Sequence, residues 1–251
     1  MPQKAIYTIS ANTPLAKDIY LLRLGGPAES LTAPGQFVNI RIEGFYLRRP
    51  LSVCDWHADG LDLIYKVVGG GTRALAALPA GAKLELLTGL GNGFNMASAL
   101  TGSRQVVLAG GGVGVPPLYG LCKRLAAASV FPVVALGFRS ADEAFFAEEF
   151  ARLGCRVETA TQDGSLGQTG LVTDILRGLD YDYYYTCGPL PMLRAVHELG
   201  LQKGAEGQLS FEEKMGCGFG ACMGCSCQTI AGAKRICVEG PVLSSKEVLF
   251  T

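Results

Sequence analysis

EEKMGCGFGACMGCSC, residues 212–227, places Cys217, Cys222 and Cys225 in a C-x4-C-x2-C array, and Cys237 follows after eleven intervening residues. This spacing is typical of plant-type 2Fe–2S sites, in which one loop supplies three thiolates and the fourth comes from further along the chain. Four interleaved glycines let the loop fold tightly and leave backbone N–H groups free to point at sulfur. The stretch therefore predicts an iron–sulfur segment whose metal ligands are Cys217, Cys222, Cys225 and Cys237.

Two other uses of clustered cysteines stay open from the spacing alone. Four thiolates can hold a structural zinc ion, although such sites usually show two separated C-x2-4-C pairs. Disulfides are the second alternative, although crowded cysteines separated by glycines give poor disulfide geometry. Cys227 lies two residues after Cys225, too close to share an iron with it, so it is not counted as a ligand.

Composition narrows the class of protein. The 251 residues suggest one or two domains with a small appendage, and 22 basic against 22 acidic residues do not favour a nucleic-acid or anionic-membrane partner. The N-terminal MPQKAIYTIS has no apolar signal core, and the uncharged apolar run 106–122 contains five glycines and two prolines, which does not suit a membrane span. Nine cysteines without an export signal predict a reducing, cytoplasmic location with free and metal-bound thiols.

The first hundred residues read as short β-strands. In the run 37–42, Val38, Ile40 and Ile42 share one face, whereas Asn39 and Arg41 take the other. Turn residues separate such runs, and several short strands at this spacing predict a small antiparallel barrel. The predicted strands are 6–9, 19–24, 37–42, 61–67 and 83–87.

Two motifs within this barrel suit a phosphate. Arg48 and Arg49 precede Pro50, and guanidinium groups bind phosphate in a bidentate manner. Twenty residues on, the glycines 69–71 and Thr72 open a predicted helix over 73–78, which would present free N–H groups. An arginine pair also suits a solvated strand edge, and a glycine triplet also suits a plain turn. Together, in this order, the motifs predict a nucleotide-type cofactor.

The pattern changes at about Gly102 to strands that alternate with helices, which predicts a doubly wound parallel sheet. The predicted strands are 106–109, 132–138, 156–161 and 181–186, and the predicted helices are 118–128, 141–153, 171–179 and 192–199. Ligands of such sheets bind at the carboxyl ends of the strands, where GGGVGVPP (110–117) and Cys187-Gly188-Pro189 lie. A tight strand–helix turn without a ligand remains the alternative.

This combination resembles the ferredoxin–NADP reductase superfamily, and within it the electron-transfer subunits of NAD-dependent (type B) dihydroorotate dehydrogenases. The resemblance covers nearly the whole chain. Its most specific part is the Met215-Gly216-Cys217-x4-Cys222-x2-Cys225 run with RICVEGPV at 235–242. It implies an FAD-binding barrel over 1–100, an NAD-binding α/β domain over 101–208 and a 2Fe–2S segment over 209–251.

The resemblance also implies the cofactor-binding residues. FAD would contact Arg49, Pro50, Leu51, Ser52, Ile64, Tyr65, Lys66, Gly71 and Thr72. NAD(H) would lie at Gly110, Gly111, Gly112, Gly114, Pro116, Cys187, Gly188 and Pro189. Ser52 and Cys187 are the implied catalytic residues, near the reactive flavin edge and the nicotinamide. The two histidines, His57 and His197, form no evident catalytic set and are expected at the surface.

The implied activity belongs to pyrimidine biosynthesis. An FMN-containing partner would oxidise dihydroorotate, and this chain would relay the electrons through the 2Fe–2S cluster and FAD to NAD+, in a heterotetramer with two copies of each chain. A flavin is needed there because it exchanges both hydride and single electrons. Two alternatives stay open: a subunit of a sulfide dehydrogenase or an NADH-dependent ferredoxin:NADP+ oxidoreductase, and a zinc-stabilised binding module. Arg139-Ser140, after the second strand of the sheet, could bind the 2′-phosphate of NADP or form an ordinary solvated turn, so the choice between NAD and NADP stays open.

Overall fold

The structure is a computed structural model, and it describes residues 2–101 and 104–250. The predicted change of pattern at Gly102 lies outside the described residues. The N-terminal strands are β1 (Gln3–Ala16), β2 (Ile19–Gly25), β3 (Phe37–Arg41), β4 (Arg49–His57), β5 (Gly60–Lys66) and β6 (Lys83–Leu90), with helix α1 (Gly70–Ala76) between the last two. They close into an antiparallel barrel in the order β1-β2-β5-β4-β3-β6, which confirms the predicted architecture.

Alternation of apolar residues builds the barrel core. Val38, Ile40 and Ile42 point into it and are almost fully buried, as the sequence predicted. Burial of each such side chain contributes about 1.5–3 kcal/mol. Strand β4 was not predicted as a strand, because Arg49, Pro50 and Ser52 interrupt the apolar alternation. These residues are only half-buried, so this part of β4 leaves one side of the barrel open to a ligand.

The second half of the chain forms an α/β layer and a cysteine-rich extension. Its strands are β7 (Val106–Gly111), β8 (Val133–Phe138), β9 (Val157–Thr161), β10 (Gln168–Thr169), β11 (Tyr183–Cys187), β12 (Glu206–Ser210), β13 (Ser226–Thr229), β14 (Gly232–Arg235) and β15 (Val242–Ser244). Its helices are α2 (Ala97–Leu100), α3 (Val115–Ala127), α4 (Ala147–Arg152), α5 (Val172–Arg177) and α6 (Leu190–Lys203).

Seven of these strands form one sheet in the order β10-β9-β8-β7-β11-β12-β15, and β13 and β14 form a separate hairpin. The sheet is parallel except for β15, which pairs antiparallel with β12. The chain winds outward from β7 in one direction and then from β11 in the other, so the strand order reverses between these two neighbours. The predicted doubly wound sheet is therefore confirmed, and its switch point lies between β7 and β11.

One predicted helix, 141–153, was wrong. The segment begins with a 3-10 turn over Ala141–Glu143, and Phe146 then adopts a left-handed backbone conformation with φ of 70° before α4 starts. Phe145 packs 5.5 Å from the Phe138 ring, and Phe146 packs 4.9 Å from the Tyr119 ring. The break at Phe146 thus lets these two adjacent rings pack against different partners, Phe138 and Tyr119.

Helix α3 fixes the sheet to the barrel. A Cβ on Gly120 would overlap the Cys54 carbonyl group of β4, so the two backbones touch. Asp55 pairs with Lys123 and Arg124, and the Arg124 guanidinium lies 3.4 Å over the Trp56 ring. These contacts hold the open side of β4 at a set position relative to the carboxyl ends of the sheet strands. Within 2–101 and 104–250, no helix is long and apolar enough to cross a membrane.

Asn92 ties the cysteine-rich extension to the barrel. Its amide Nδ2 donates to the carbonyls of Glu239 (3.2 Å) and Val242 (2.7 Å), and its Oδ1 accepts from the Val242 N–H (3.1 Å). Its backbone N–H donates to the Gly240 carbonyl at 2.7 Å. A single side chain thus holds both ends of the turn that follows Cys237.

We expect Asn92→Ala to lower the free energy of unfolding by about 2–3 kcal/mol, because three hydrogen bonds are lost and partly buried backbone groups lose their partners. Chemical denaturation followed by circular dichroism measures this. The control is Asn95→Ala, which removes one exposed bond to the Ala97 N–H and should cost less than half as much. Equal losses in the two variants would contradict the proposed clamp.

Candidate functional site

The two arginines of the barrel motif have different environments. Arg48 forms an ion pair with Glu85, which also lies 3.6 Å from Lys4, on the outer wall of the barrel. The Arg49 guanidinium instead lies against Gly71, where a Cβ would come within 2.6 Å of Arg49 Cζ. The predicted anion clamp of two arginines is therefore wrong for Arg48. Arg49 and the glycine turn, distant in sequence, are in contact, an arrangement that suits the nucleotide-type cofactor predicted from these motifs.

Hydrogen bonds to Thr72 fix the conformation of the turn beside Arg49. Its Oγ1 accepts hydrogen bonds from the backbone N–H groups of Val68 (3.0 Å) and Gly69 (3.2 Å). The chain at Gly69 is extended, and α1 begins directly after it. The Arg49 guanidinium and the Gly71 turn together form a small recess, here called the Arg49 cradle, which a Cβ at Gly71 would fill. A guanidinium beside free backbone groups suits a phosphate.

The other predicted flavin contacts differ in how far their side chains are buried. Pro50, Leu51 and Ser52 follow Arg49 along the open part of β4. Ile64 is 3% exposed, and Tyr65 is 1% exposed with its hydroxyl donating to Asn12 Oδ1 at 3.0 Å inside the barrel. Tyr65 can therefore face a cofactor only through its backbone. Its neighbour Lys66 points the other way, into a cleft.

This cleft, of 480 Å³, lies between the barrel and the carboxyl ends of the sheet strands. Cys187 of β11 lies directly beside Gly110 of β7, so both predicted nucleotide motifs meet at the switch point. The predicted residues that line the cleft are Gly111, Gly112, Gly114, Gly188 and Pro189. Gly110, Pro116 and Cys187 are buried behind this surface. Pro116 lies in the first turn of α3, where no N–H donor is needed, as expected.

Gly114 is where the two nucleotide motifs touch. A Cβ there would lie 2.6 Å from the Gly188 nitrogen and still closer to the Cys187 carbonyl group. Its backbone dihedrals, φ of −79° and ψ of −11°, are open to any residue. The requirement for glycine is therefore steric rather than conformational.

Two acidic residues of the cleft, Glu143 and Glu212, could not be read from the sequence motifs, whereas Lys66 and Arg139, which the sequence singled out, also line it. Lys66 of the barrel and Glu143 of the sheet form an ion pair of 2.8 Å across the cleft, and both side chains are mostly buried. Glu212 lies inside the cleft, and although water reaches it, desolvation raises the pKa of its carboxyl. Burial, with a contribution from Glu212, also raises the pKa of Cys187 to about 12, so Cys187 is a neutral thiol.

The cysteines of the opening motif form two pairs. The backbone N–H of Cys217 donates to Cys222 Sγ at 3.5 Å, and that of Cys222 donates to Cys217 Sγ at 3.4 Å. The N–H of Cys237 donates to Cys225 Sγ at 3.4 Å. Within the part of the chain that the structure describes, no three His, Cys, Asp or Glu side chains converge on one ion position. The four predicted ligands thus lie in one segment as two hydrogen-bonded pairs.

The loop around these sulfurs fits an inorganic cluster. A Cβ on Gly216 would come within 3.2 Å of Cys222 Sγ, so this glycine keeps space free beside the sulfur. Desolvation opposes ionisation of Cys217, but backbone N–H groups of Phe219, Cys222 and Ala221 lower its pKa to about 6. A thiolate-rich, N–H-lined loop is the donor set that iron–sulfur clusters use.

Asn39 joins this loop to the barrel. It lies on the outer face of β3, as the alternation predicted, but it is only 1% exposed because the cysteine loop covers it. Its Nδ2 donates to the Cys217 carbonyl at 3.4 Å, and its Oδ1 is buried without a partner among the described residues. Across the ladder, Asn39 lies opposite Pro50 of β4. The cysteine loop is thus one strand away from the predicted flavin strand.

The remaining cysteines and the histidines lie elsewhere. All nine cysteines are free thiols, and Cys227, on β13, is half-buried and takes no part in the two pairs. His57 is exposed as expected, but the expectation for His197 was wrong. His197 is 8% exposed, its Nδ1 lies 3.1 Å from the Tyr184 hydroxyl, and burial lowers its pKa. The apolar face of α6 buries it against β11.

Comparisons with known proteins agree with this geometry. Residues 212–249 match the family model "Iron-sulfur cluster binding domain of dihydroorotate dehydrogenase B". The chain is 42% identical over 254 residues to the electron transfer subunit of dihydroorotate dehydrogenase B (NAD(+)) from Geobacillus sp. (strain WCH70), covering 97% of each chain. It is 41% identical over 263 residues to the subunit of the same name from Bacillus mycoides (strain KBAB4), covering all of both chains.

Solved structures share the same architecture. A chain of an NADH-dependent reduced ferredoxin–NADP oxidoreductase superposes with a TM-score of 0.87 at 29% identity, covering 98% of this chain and 90% of that one. The cytochrome P450 reductase of Amycolatopsis superposes with a TM-score of 0.71 at 22% identity over 80% of this chain and 66% of that one. At that identity the second likeness concerns the fold alone.

Proposed function

The chain belongs to the electron-transfer subunits of NAD-dependent dihydroorotate dehydrogenase B, and we propose that it links an FMN-containing, dihydroorotate-oxidising partner to NAD+ by means of FAD and a 2Fe–2S cluster. Such a flavin exchanges hydride with the nucleotide and single electrons with the cluster, which is the conversion the two partners require. The residues of this chain supply binding, orientation and electrostatics.

The observation that carries this proposal is the convergence of three sites on adjacent barrel strands. Asn39 of β3 touches the cysteine loop, its neighbour β4 carries the Arg49 cradle, and Lys66 of β5 lines the nucleotide cleft. β4 is the middle strand of these three. A flavin held on it would lie between the nucleotide and the cysteines, which is the order that a relay needs.

The proposal gives several of the predicted residues a role. Arg49 and the Gly71 turn would hold the flavin phosphates, and Cys217, Cys222, Cys225 and Cys237 would hold the cluster. Ser52 offers a hydroxyl on the open part of β4. Cys187 lies behind the cleft wall as a neutral thiol, so it adds no charge next to a nicotinamide ring that gains or loses hydride.

The cluster surface suits a protein partner. Cys222 is exposed, and the apolar side chains of Phe219 and Met223 beside it are 52% and 56% exposed. Exposed apolar groups around a redox centre favour docking of another protein there. A heterotetramer with two copies of each chain is the assembly we propose, and FMN is the partner's own cofactor.

Copurification from the source cells under anaerobic conditions tests this function. We expect FAD, iron and acid-labile sulfide in this chain, and an FMN-containing partner that oxidises dihydroorotate. A large iron–sulfur flavoprotein as partner would favour the alternative, a ferredoxin-linked NAD(P)H complex, for which the superposition with the ferredoxin–NADP oxidoreductase is the supporting observation. A colourless protein that contains zinc would contradict both.

Arg49→Ala is expected to weaken FAD binding at least tenfold. A charge-assisted hydrogen bond contributes about 1.5–3 kcal/mol, and 1.4 kcal/mol corresponds to a factor of ten in affinity. Titration of flavin-free protein with FAD, followed by fluorescence, measures the change. Arg48→Ala is the matched control, since Arg48 pairs with Glu85 outside the cradle, and it should change the affinity less than threefold. Equal effects in the two variants would contradict the assignment.

A further inference from the structure

Arg235 connects the two halves of the cysteine site. It is the last residue of β14 and lies two residues before Cys237. Its NH1 donates to the Gly220 carbonyl at 3.2 Å, within the loop between Cys217 and Cys222. Its guanidinium therefore reaches from the turn of the fourth cysteine back over the loop of the first two.

Neighbouring contacts keep this cation close to the other pair as well. The Ile236 N–H donates to the Cys225 carbonyl at 3.1 Å, and the Cys237 N–H donates to Cys225 Sγ at 3.4 Å. A Cβ on Gly220 would come within 2.6 Å of Val238 Cγ2 and lie 3.4 Å from Arg235 NH1, so the loop backbone packs directly against this turn and the guanidinium. The cation is thus held beside both cysteine pairs.

Glu239 is the counter-charge of Arg235. Its Oε2 accepts from the Arg235 backbone N–H at 2.6 Å and from Arg235 Nε at 3.1 Å. The ion pair orients the planar guanidinium so that its other nitrogen is directed at the loop. Lys234 precedes Arg235, but its side chain pairs with Glu247 and so is directed elsewhere.

We propose that Arg235 raises the reduction potential of the iron–sulfur centre and that Glu239 limits this effect. The inference rests on the proposed function, because it assumes a 2Fe–2S cluster on the four cysteines. Reduction adds one electron, and so one unit of negative charge, to the centre. A fixed cation beside the sulfurs stabilises the reduced form more than the oxidised form, and a carboxylate does the opposite.

The test is a redox titration of the holoprotein, with the reduced cluster followed by electron paramagnetic resonance at moderate salt. We expect Arg235→Gln to lower the equilibrium constant for cluster reduction about tenfold, which is about 59 mV for a one-electron couple. Glu239→Gln should raise it about threefold, and Arg235→Lys should stay within about threefold of wild type. The control, Lys234→Gln, removes a charge from the adjacent residue and should change it less than twofold.

The outcomes separate the inference from the function on which it rests. A wild-type protein without iron, sulfide and a 2Fe–2S signal would overturn the proposed function itself. Two results would overturn only the role of Arg235 while the wild-type protein holds its cluster. In the first, the reduction potentials of Arg235→Gln and Glu239→Gln shift no more than that of Lys234→Gln. In the second, the potentials of these two variants shift in the same direction. If Arg235→Gln does not retain the cluster, the reduction potential of Glu239→Gln is the deciding measurement. A potential that does not rise in Glu239→Gln then overturns the inference.

Discussion

Cys222→Ser is expected to reduce electron transfer between the partner and this chain at least a hundredfold, while NADH still reduces the bound flavin within about twofold of the wild-type rate. Cys222 is exposed on the cysteine loop, and it does not line the nucleotide cleft. A serine oxygen is a harder ligand than a thiolate and binds a soft iron–sulfur centre poorly. Stopped-flow absorbance of the flavin measures the exchange between NADH and FAD, and dihydroorotate-dependent reduction of NAD+ by the assembled complex measures the whole relay.

Cys227→Ser is the matched control for this experiment. Cys227 lies in the same segment but outside the two cysteine pairs, so both activities should stay near wild type. If flavin reduction by NADH collapsed in Cys222→Ser while FAD remained bound, the order of the sites would be wrong. Loss of the cluster in Cys227→Ser would instead show that the ligand set is misassigned.

Gly114→Ala should abolish productive binding of the pyridine nucleotide. The added methyl group would overlap the Cys187 carbonyl group and come within 2.6 Å of the Gly188 nitrogen. Both neighbours are backbone, so the two motifs must move apart, at a cost of about 1–3 kcal/mol in folding free energy. Since both motifs line the cleft, we expect NADH affinity to fall more than tenfold. Fluorescence titration with NADH and denaturant unfolding report the two effects separately.

Gly178→Ala serves as the control, because Gly178 is an exposed residue of the same α/β layer, with ordinary dihedrals and only one atom at 3.5 Å from an added Cβ. Surface changes of this kind usually alter stability by less than about 0.5 kcal/mol. Unchanged NADH affinity in Gly114→Ala would place the nucleotide elsewhere and would remove the main structural support for the cleft.

Periodicity in the sequence accounts for most of the fold. Period-two patterns located five barrel strands, and the alternation of strand-like with helix-like segments located four strands of the sheet. The sequence pattern did not reveal β4, whose residues line a candidate site, or the backbone break before α4, where two adjacent rings pack against different partners. In β4, Arg49, Pro50 and Ser52 replace the apolar pattern; in the segment before α4, Phe145 and Phe146 require a break that no local pattern signals.

The candidate site could be predicted only where a motif is contiguous. The cysteine array, the Arg49 region and both glycine motifs were visible as short runs. The ion pair of Lys66 with Glu143, the clamp made by Asn92 and the buried amide of Asn39 join residues that are far apart in sequence. Their partners are set by the register and packing of the barrel against the sheet, which local sequence does not specify.

The position of β15 along the chain has a consequence for how the protein matures in the cell. β15 (Val242–Ser244) follows the barrel and the other strands of the large sheet in the sequence, and it pairs with β12. Domains generally fold from the N-terminus during synthesis, so the proposed flavin and nucleotide sites can take shape on a nascent chain before β15 is made. The cysteine loop becomes anchored only after those regions have been synthesised. Assembly machinery that delivers iron and sulfide should therefore meet a polypeptide whose preceding regions are already in place.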